Sequence, residues 1–168
     1  MNYFDKKVIW ITGASSGIGK ELAIQLSKLG AVLVLTARRE NELEKVKQLC
    51  GNSEVHLFPY DLENLENIPE LYASVITAVN GIDILINNAG IVSAGPLEDI
   101  QDEDLYDQVA INLTAVLLLT KYCIPLLKAS KEAAILNISS GLGLIGMPFY
   151  AVYGSTKAGF IAYLNGLR

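Results

Sequence analysis

Tyr153 and Lys157 are the residues of this chain whose types and spacing best suit acid–base chemistry. Spaced i,i+4 near the start of a helical stretch, they share one face. A free phenol, with a pKa of about 10, is a poor proton donor near neutrality. A lysine cation beside it stabilises the phenolate, and the pair then suits proton delivery to a carbonyl oxygen. The spacing alone is weak evidence, because Tyr3 and Lys7 share it on a segment with no other site features. Context comes from Ser139 and Ser140, at the end of an apolar run. A hydroxyl there can hold a carbonyl beside the phenol; otherwise both are ordinary strand-end residues. Asn112 lies inside the apolar stretch 109–119. A mid-helix amide in such surroundings needs a partner. It binds a water, or a backbone carbonyl freed by a kink near the lysine, or it is a core polar group satisfied locally.

A second group of residues suits the binding of a dinucleotide. Thr12-Gly13-Ala14-Ser15-Ser16-Gly17-Ile18-Gly19 follows an apolar strand pattern and opens a helical one. In that context Gly13, Ser15, Ser16, Gly17, Ile18 and Gly19 present backbone N–H groups and a helix N-terminus to a pyrophosphate. At the end of the second strand pattern, an acidic residue for ribose hydroxyls is absent. Thr36-Ala37-Arg38-Arg39 stands there instead. Guanidinium groups pair well with phosphate, so Arg38 and Arg39 point to a 2′-phosphate and to NADP(H) over NAD(H). Alternatively, they start a solvated helix and pair with Glu40 or Glu42. Asp61 and its neighbour Leu62, after the third strand pattern, are placed for adenine, with Asp61 accepting from the amino group. Asp61 as a helix cap or turn carboxylate is the other reading. Asn87-Asn88-Ala89-Gly90 closes the fourth strand pattern, so Asn88, Ala89 and Gly90 face a cofactor, while the asparagine amides tie strand ends together. An oxidised nicotinamide ring, being positive, would add to the lysine's effect on Tyr153.

These residues need elements to position them. Apolar, β-branched runs at 7–12, 31–36, 55–60, 82–87 and 133–138 predict five strands. Helical spacing predicts helices at 17–29, 40–49, 64–79, 103–129 and from about 151 onward. Nearly all-apolar strands alternating with helices indicate a parallel sheet covered on both faces, an α/β, Rossmann-type doubly wound domain. Residues 1–168 read as a single NAD(P)-binding domain. The full arrangement has six strands and only five are counted, and the last helix ends at Arg168 without a stop signal. The expectation is therefore a domain lacking its C-terminal strands, with the fifth strand as an exposed edge.

Composition narrows the classes. With 168 residues, 51% hydrophobic and 18% charged, the chain can bury a core and is not intrinsically disordered. Thirteen Lys+Arg against 18 Asp+Glu, a net charge of −5, leave no basic footprint for nucleic acid and no polybasic membrane patch. The run 8–12 is too short for a signal peptide. The stretch 109–127 is the most lipid-like, but Asn112, Lys121 and Pro125 make it a buried helix rather than a membrane span. Cys50 and Cys123 form no metal or disulfide pattern, which favours a reducing, cytoplasmic location. With His56 as the sole histidine, a His-based metal site or a Ser-His-Asp triad is hard to build.

Taken together, TGASSGIG at 12–19, NNAG at 87–90, Asn112, Ser140 and Tyr153-x-x-x-Lys157 resemble the short-chain dehydrogenase/reductase family, in that family's order and over essentially the whole chain. The resemblance implies a tetrad. Tyr153 acts as acid/base, Lys157 holds the nicotinamide ribose and tunes the tyrosine, Ser140 polarises the carbonyl, and Asn112 supports a water relay. An arginine after the second strand in such relatives goes with NADP(H). Relatives also continue into further strands, a Pro-Gly loop and a variable substrate loop, so the sequence reads as a fragment of such an enzyme. The implied reaction is hydride transfer between nicotinamide and a small-molecule carbonyl or secondary alcohol. The apolar loop 141–149 flanks the site and suggests a hydrophobic substrate; core packing is its other reading. The helix 103–129 is apolar nearly all round, so one side covers the sheet and the other meets a second subunit, in a homodimer or homotetramer. A missing C-terminal part is the alternative cover. A nucleotide-sensing or scaffold protein without turnover is the alternative function on this fold.

Overall fold

The apolar strand patterns become a five-stranded, wholly parallel sheet in the computed structural model, which describes residues 2–167. In chain order the strands are β1 (Val8–Thr12), β2 (Val32–Ala37), β3 (Val55–Pro59), β4 (Ile84–Asn87) and β5 (Ala134–Asn137). Their spatial order is β3-β2-β1-β4-β5. The helices are α1 (Gly17–Lys28), α2 (Glu40–Leu49), α3 (Ile68–Ala78), α4 (Asp102–Val109), α5 (Ala115–Ala129) and α6 (Ala151–Gly166). The α/β, doubly wound reading is borne out.

Strand alternation divides the core in two. Ile9, Ile11, Leu33, Leu35, Ile84 and Ile86 pack with Ala23 and Leu26 of α1 and Leu43 and Val46 of α2. Trp10, Val34 and Leu85 belong to the other cluster, with Ile68, Leu71 and Val75 of α3 and Ala115, Leu119 and Cys123 of α5. Period-two side-chain direction requires this division. Trp10, fully buried between Val34 and Leu85 on the neighbouring strands, donates its indole N–H to Thr36 Oγ1 at 2.9 Å. The stretch Asp102–Ala129 is long and apolar enough to cross a membrane by length and composition. Here Ile111, Ala115, Leu119, Cys123 and Leu127 are packed in the core beneath the sheet.

The chain leaves β1 toward β2 on one side and later returns to β4 on the other. The carboxyl ends of β1 and β4 therefore form a switch point, where open α/β sheets bind ligands. Several boundaries differ from the sequence expectation for local reasons. Pro69 suits the first turn of a helix, so α3 starts at Ile68, after a separate 3₁₀ turn at Leu65–Asn67. Strand β4 starts at Ile84, and Asp83 just before it is a clasp. Its carboxylate accepts from Val8 N at 2.9 Å and from Ser130 Oγ at 2.6 Å. The single helix expected over 103–129 instead contains a π-helical turn, Ala110–Thr114, between α4 and α5. Strand β5 is the sheet edge opposite β3, with Leu136 44% exposed.

Candidate functional site

The switch point is built by reciprocal ties between strand ends. Thr12 Oγ1 accepts from the backbone N–H groups of Asn88 and Ala89, both at 3.1 Å. Asn88 Nδ2 returns the tie, donating to Thr12 O at 3.0 Å and Gly13 O at 3.1 Å. Asn87 Nδ2 reaches Asn137 Oδ1 on β5 at 2.7 Å and Thr120 Oγ1 on α5 at 3.2 Å. Both asparagines thus hold strand ends in register.

This closeness is what the glycines permit. Gly13 has φ +66°, and a Cβ there would lie 2.8 Å from Ala89 Cα. A Cβ on Gly19 would fall 2.5 Å from both Gly13 O and Asn88 Nδ2. Separations that short force the backbone to shift. At the start of α1, Ser16 caps no N–H with its side chain, and the first turn carries no acid. The helix N-terminus is therefore left with free donors and its partial positive charge.

A cleft of about 290 Å³ opens beside this turn. Gly13, Ser15 and Ser16 line it from the turn, Arg38 and Arg39 from the end of β2, Asp61 and Leu62 from the end of β3, and Asn88, Ala89 and Gly90 from the end of β4. The cleft thus gathers ten of the residues picked from sequence for cofactor binding. Gly17, Ile18, Gly19, Tyr153 and Lys157 are not among its walls: Gly17 and Ile18 are exposed, Gly19 is buried against Gly13, and Tyr153 and Lys157 lie past Gly90 on α6. Ala37, Tyr60, Ile91 and Ile111 complete the lining and were not anticipated. Tyr60 and Ile91 lie past β3 and β4, Ala37 ends β2, and Ile111 comes from the turn between α4 and α5.

At one end of the cleft the charged residues are paired with one another. Arg38 Nη1 lies 3.2 Å from Glu63 Oε1 and 3.8 Å from Asp61 Oδ2. Pairing of Arg38 with Glu40 or Glu42 is thereby replaced by pairing across the cleft, and Glu42 takes Lys45 at 2.7 Å. Arg39 Nη2 donates to Ser15 Oγ at 3.3 Å. Asp61 Oδ1 accepts from Glu63 N at 3.1 Å, so Asp61 is a turn carboxylate in this structure. Burial, then the charges of Asp61 and Asp107, raise the Glu63 pKa, and Arg38 opposes them. Glu63 was missed from sequence because nothing near it in the chain reveals an arginine partner.

Beyond Gly90, outside the walls of the cleft, lies a second group of polar residues, largely satisfied. Lys157 on α6 is 4% exposed, and its Nζ donates to Ile138 O at 3.0 Å, just past β5. Burial lowers its pKa. Tyr153, half-buried and one turn earlier, has its ring centre 5.7 Å from that nitrogen. Asn112 sits in the π turn and clamps the strand-end backbone beyond β4. Its Oδ1 accepts from Ile91 N at 2.8 Å, and its Nδ2 donates to Ile91 O at 2.8 Å and Thr156 Oγ1 at 3.3 Å. Asn112 thus does hold a backbone carbonyl near the lysine, that of Ile91, which lies after β4 and not in the helix that carries the asparagine. Asn112 and Lys157 meet at Gly90, where a Cβ would stand 3.2 Å from Asn112 Oδ1 and 3.6 Å from Lys157 Nζ. Ser140 lies beyond β5, and its Oγ accepts from Leu142 N at 3.2 Å. Among the described residues no hydrogen bond joins Ser140 Oγ to Tyr153.

The loop after Ser140 is not core. Leu144 is 75% exposed, and Ile145, Met147 and Phe149 are exposed with it. Among the described residues, the part from Leu144 to Phe149 is therefore not packed in the core, while Leu142 and Gly143 are half-buried. Together with α6 the loop lines an apolar groove of about 500 Å³.

A family model described as short chain dehydrogenase matches residues 7–168. The chain belongs to the short-chain dehydrogenase family. Dehydrogenase/reductase SDR family member 7 of Homo sapiens is 38% identical over 167 residues, covering 96% of this chain and 49% of that protein. An uncharacterised oxidoreductase of Staphylococcus saprophyticus is 36% identical over 168 residues, covering 100% of this chain and 68% of that protein. A crystal structure of a metagenomic short-chain oxidoreductase in complex with NADP superposes with a TM-score of 0.92 at 32% identity, over 98% of this chain and 76% of that one. This short-chain dehydrogenase sequence thus spans about half the length of its human relative.

Proposed function

We propose that this chain carries the cofactor-binding and catalytic part of an NADP(H)-dependent oxidoreductase acting on a carbonyl or secondary alcohol of a hydrophobic small molecule. The observation that carries the reading is the buried Lys157, fixed to Ile138 O, with Tyr153 one helical turn away and Asn112 beside it at Gly90. Burying an ammonium group costs free energy that its hydrogen bond offsets only in part, and such buried ionisable groups cluster at functional sites.

The cleft fits the cofactor's parts. The uncapped start of α1, with Gly13, Ser15 and Ser16, would hold the pyrophosphate. Gly17, Ile18 and Gly19 would serve by shaping that helix start. Asp61 and Leu62 would meet adenine, Arg38 and Arg39 the 2′-phosphate, and Asn88–Gly90 with Tyr153 and Lys157 the nicotinamide half. The NADP complex of the similar metagenomic enzyme supports NADP(H) over NAD(H). When bound, the nicotinamide ring supplies or accepts the hydride.

The chain's own residues manage the proton. Ser140 Oγ donates a hydrogen bond to the substrate oxygen, and Tyr153 delivers a proton to that oxygen in reduction or takes it in oxidation. Lys157 holds positive charge against the developing phenolate. Asn112 keeps Ile91, and with it the strand-end backbone beside Lys157, in place, and supports a water relay toward Lys157. The exposed apolar loop provides the hydrophobic wall for the substrate.

We also read the protein as cytoplasmic and as a homodimer or homotetramer. Two free, buried cysteines and the half-buried apolar Leu117 and Ile124 on the outer side of α5 support this. Light scattering on the full-length protein tests the assembly. For the reaction, NADPH oxidation is followed with a panel of apolar ketones and with NADH as the comparison. Turnover with NADPH is expected. NADPH binding without turnover across the panel would instead mark a nucleotide-sensing or scaffold protein.

A further inference from the structure

Glu63 holds the guanidinium of Arg38, the cation read above as the 2′-phosphate ligand. Its Oε1 lies 3.2 Å from Arg38 Nη1, and Asp61 Oδ2 adds a second carboxylate 3.8 Å from the same nitrogen. The arrangement is braced by the backbone, since Glu63 N donates to Asp61 Oδ1. Arg39 is turned to the uncharged Ser15 hydroxyl, so Arg38 alone answers these two carboxylates. Asp107 adds its charge to that of Asp61 against Glu63, while Arg38 offsets them. Withdrawing Arg38 would leave like charges facing one another without a counterion.

A dinucleotide phosphorylated on its 2′-oxygen needs Arg38 and brings two further negative charges into this cluster. A dinucleotide with a plain 2′-hydroxyl needs neither. We propose that Glu63 is a specificity-determining residue: it competes with the 2′-phosphate for the Arg38 guanidinium and so narrows the preference for NADP(H) over NAD(H). This rests on Arg38 being the phosphate ligand. It also says that the arginine's presence after β2 overstates the preference, because the partner carboxylate comes from the end of β3. All three side chains are substantially exposed, which sets the scale of the effect at that of a solvated ion pair, about fivefold in affinity.

The test measures dissociation constants of NADP+ and NAD+ in the full-length protein, with 2′,5′-ADP and 5′-AMP as probes lacking nicotinamide. The variants are Glu63→Gln, Glu63→Ala, Arg38→Gln and the double variant Arg38→Gln/Glu63→Gln. Both single Glu63 variants are expected to raise the NADP+ to NAD+ affinity ratio about fivefold, with the same gain for 2′,5′-ADP over 5′-AMP. In the Arg38→Gln background the gain should vanish. If Arg38→Gln collapses the ratio while the Glu63 variants leave it unchanged or lower it, competition is refuted and Arg38 keeps its role. A gain that persists without Arg38 also refutes competition. If Arg38→Gln leaves the ratio unchanged, the phosphate-ligand reading of Arg38 itself fails.

Discussion

The Arg38 end of the cleft and the Lys157 group beyond Gly90 are built on opposite terms. Around Lys157, polar groups are buried and each is held by a backbone partner: Lys157 by Ile138 O, Asn112 by both polar groups of Ile91. At the Arg38 end, charged groups are exposed and held mainly by one another. Buried polar groups with fixed partners are costly to disturb, so their geometry is pre-set before any ligand arrives. Exposed ion pairs are cheap to rearrange and are screened by salt. The Lys157 group is therefore suited to chemistry and the Arg38 end to selection among cofactors.

If this contrast is right, changes in the buried group should cost far more than changes at the exposed end. Asn112→Ala leaves the N–H and C=O of Ile91 without their partner and should destabilise the fold by about 1–3 kcal/mol in denaturant unfolding. It should also lower turnover, because the backbone beside Lys157 is released. Gly19→Ala, in the buried glycine turn that lies apart from both groups, has its Cβ driven into Gly13 O and should cost about 1–3 kcal/mol and weaken dinucleotide binding by isothermal titration. A smaller effect concerns pH. Burial lowers the folded-state pKa of Lys157 from 10.5, so the folded form binds fewer protons than the unfolded chain between the two values. Stability relative to a Lys157→Met variant should rise as pH increases through that window and fall as pH drops through the lowered value. A flat difference between the two proteins would remove the buried cation from the account. The smallest effect belongs to the exposed end, where Glu63→Gln should shift the cofactor ratio about fivefold and leave stability nearly untouched.

The sheet, its two faces and the strand-end position of the cleft were readable from sequence because they follow from apolar periodicity and from glycines at a strand–helix junction. Contacts made across large sequence distances were not. The π turn at Ala110–Thr114 has no proline or glycine to announce it. It coincides with Asn112 reaching Ile91, a tertiary demand that local propensity does not carry. Thr12 and Thr156 were overlooked because a threonine at a strand end or in a helix is unremarkable until its hydroxyl is seen pairing with Ala89 N or Asn112. Arg38 was recognised as a cation near the cofactor, yet its partners lie after the next strand, where only the fold brings them close.

The central claim is that Tyr153 passes the proton while the cleft binds the cofactor. Tyr153→Phe keeps the ring and removes only the hydroxyl, so NADPH affinity and turnover can be measured on the same sample. The expected result is NADPH binding within about twofold of wild type, with ketone-dependent oxidation lowered by about 10²–10⁴-fold, the range for loss of a positioned acid–base group. Turnover at the wild-type rate in that variant would contradict the account.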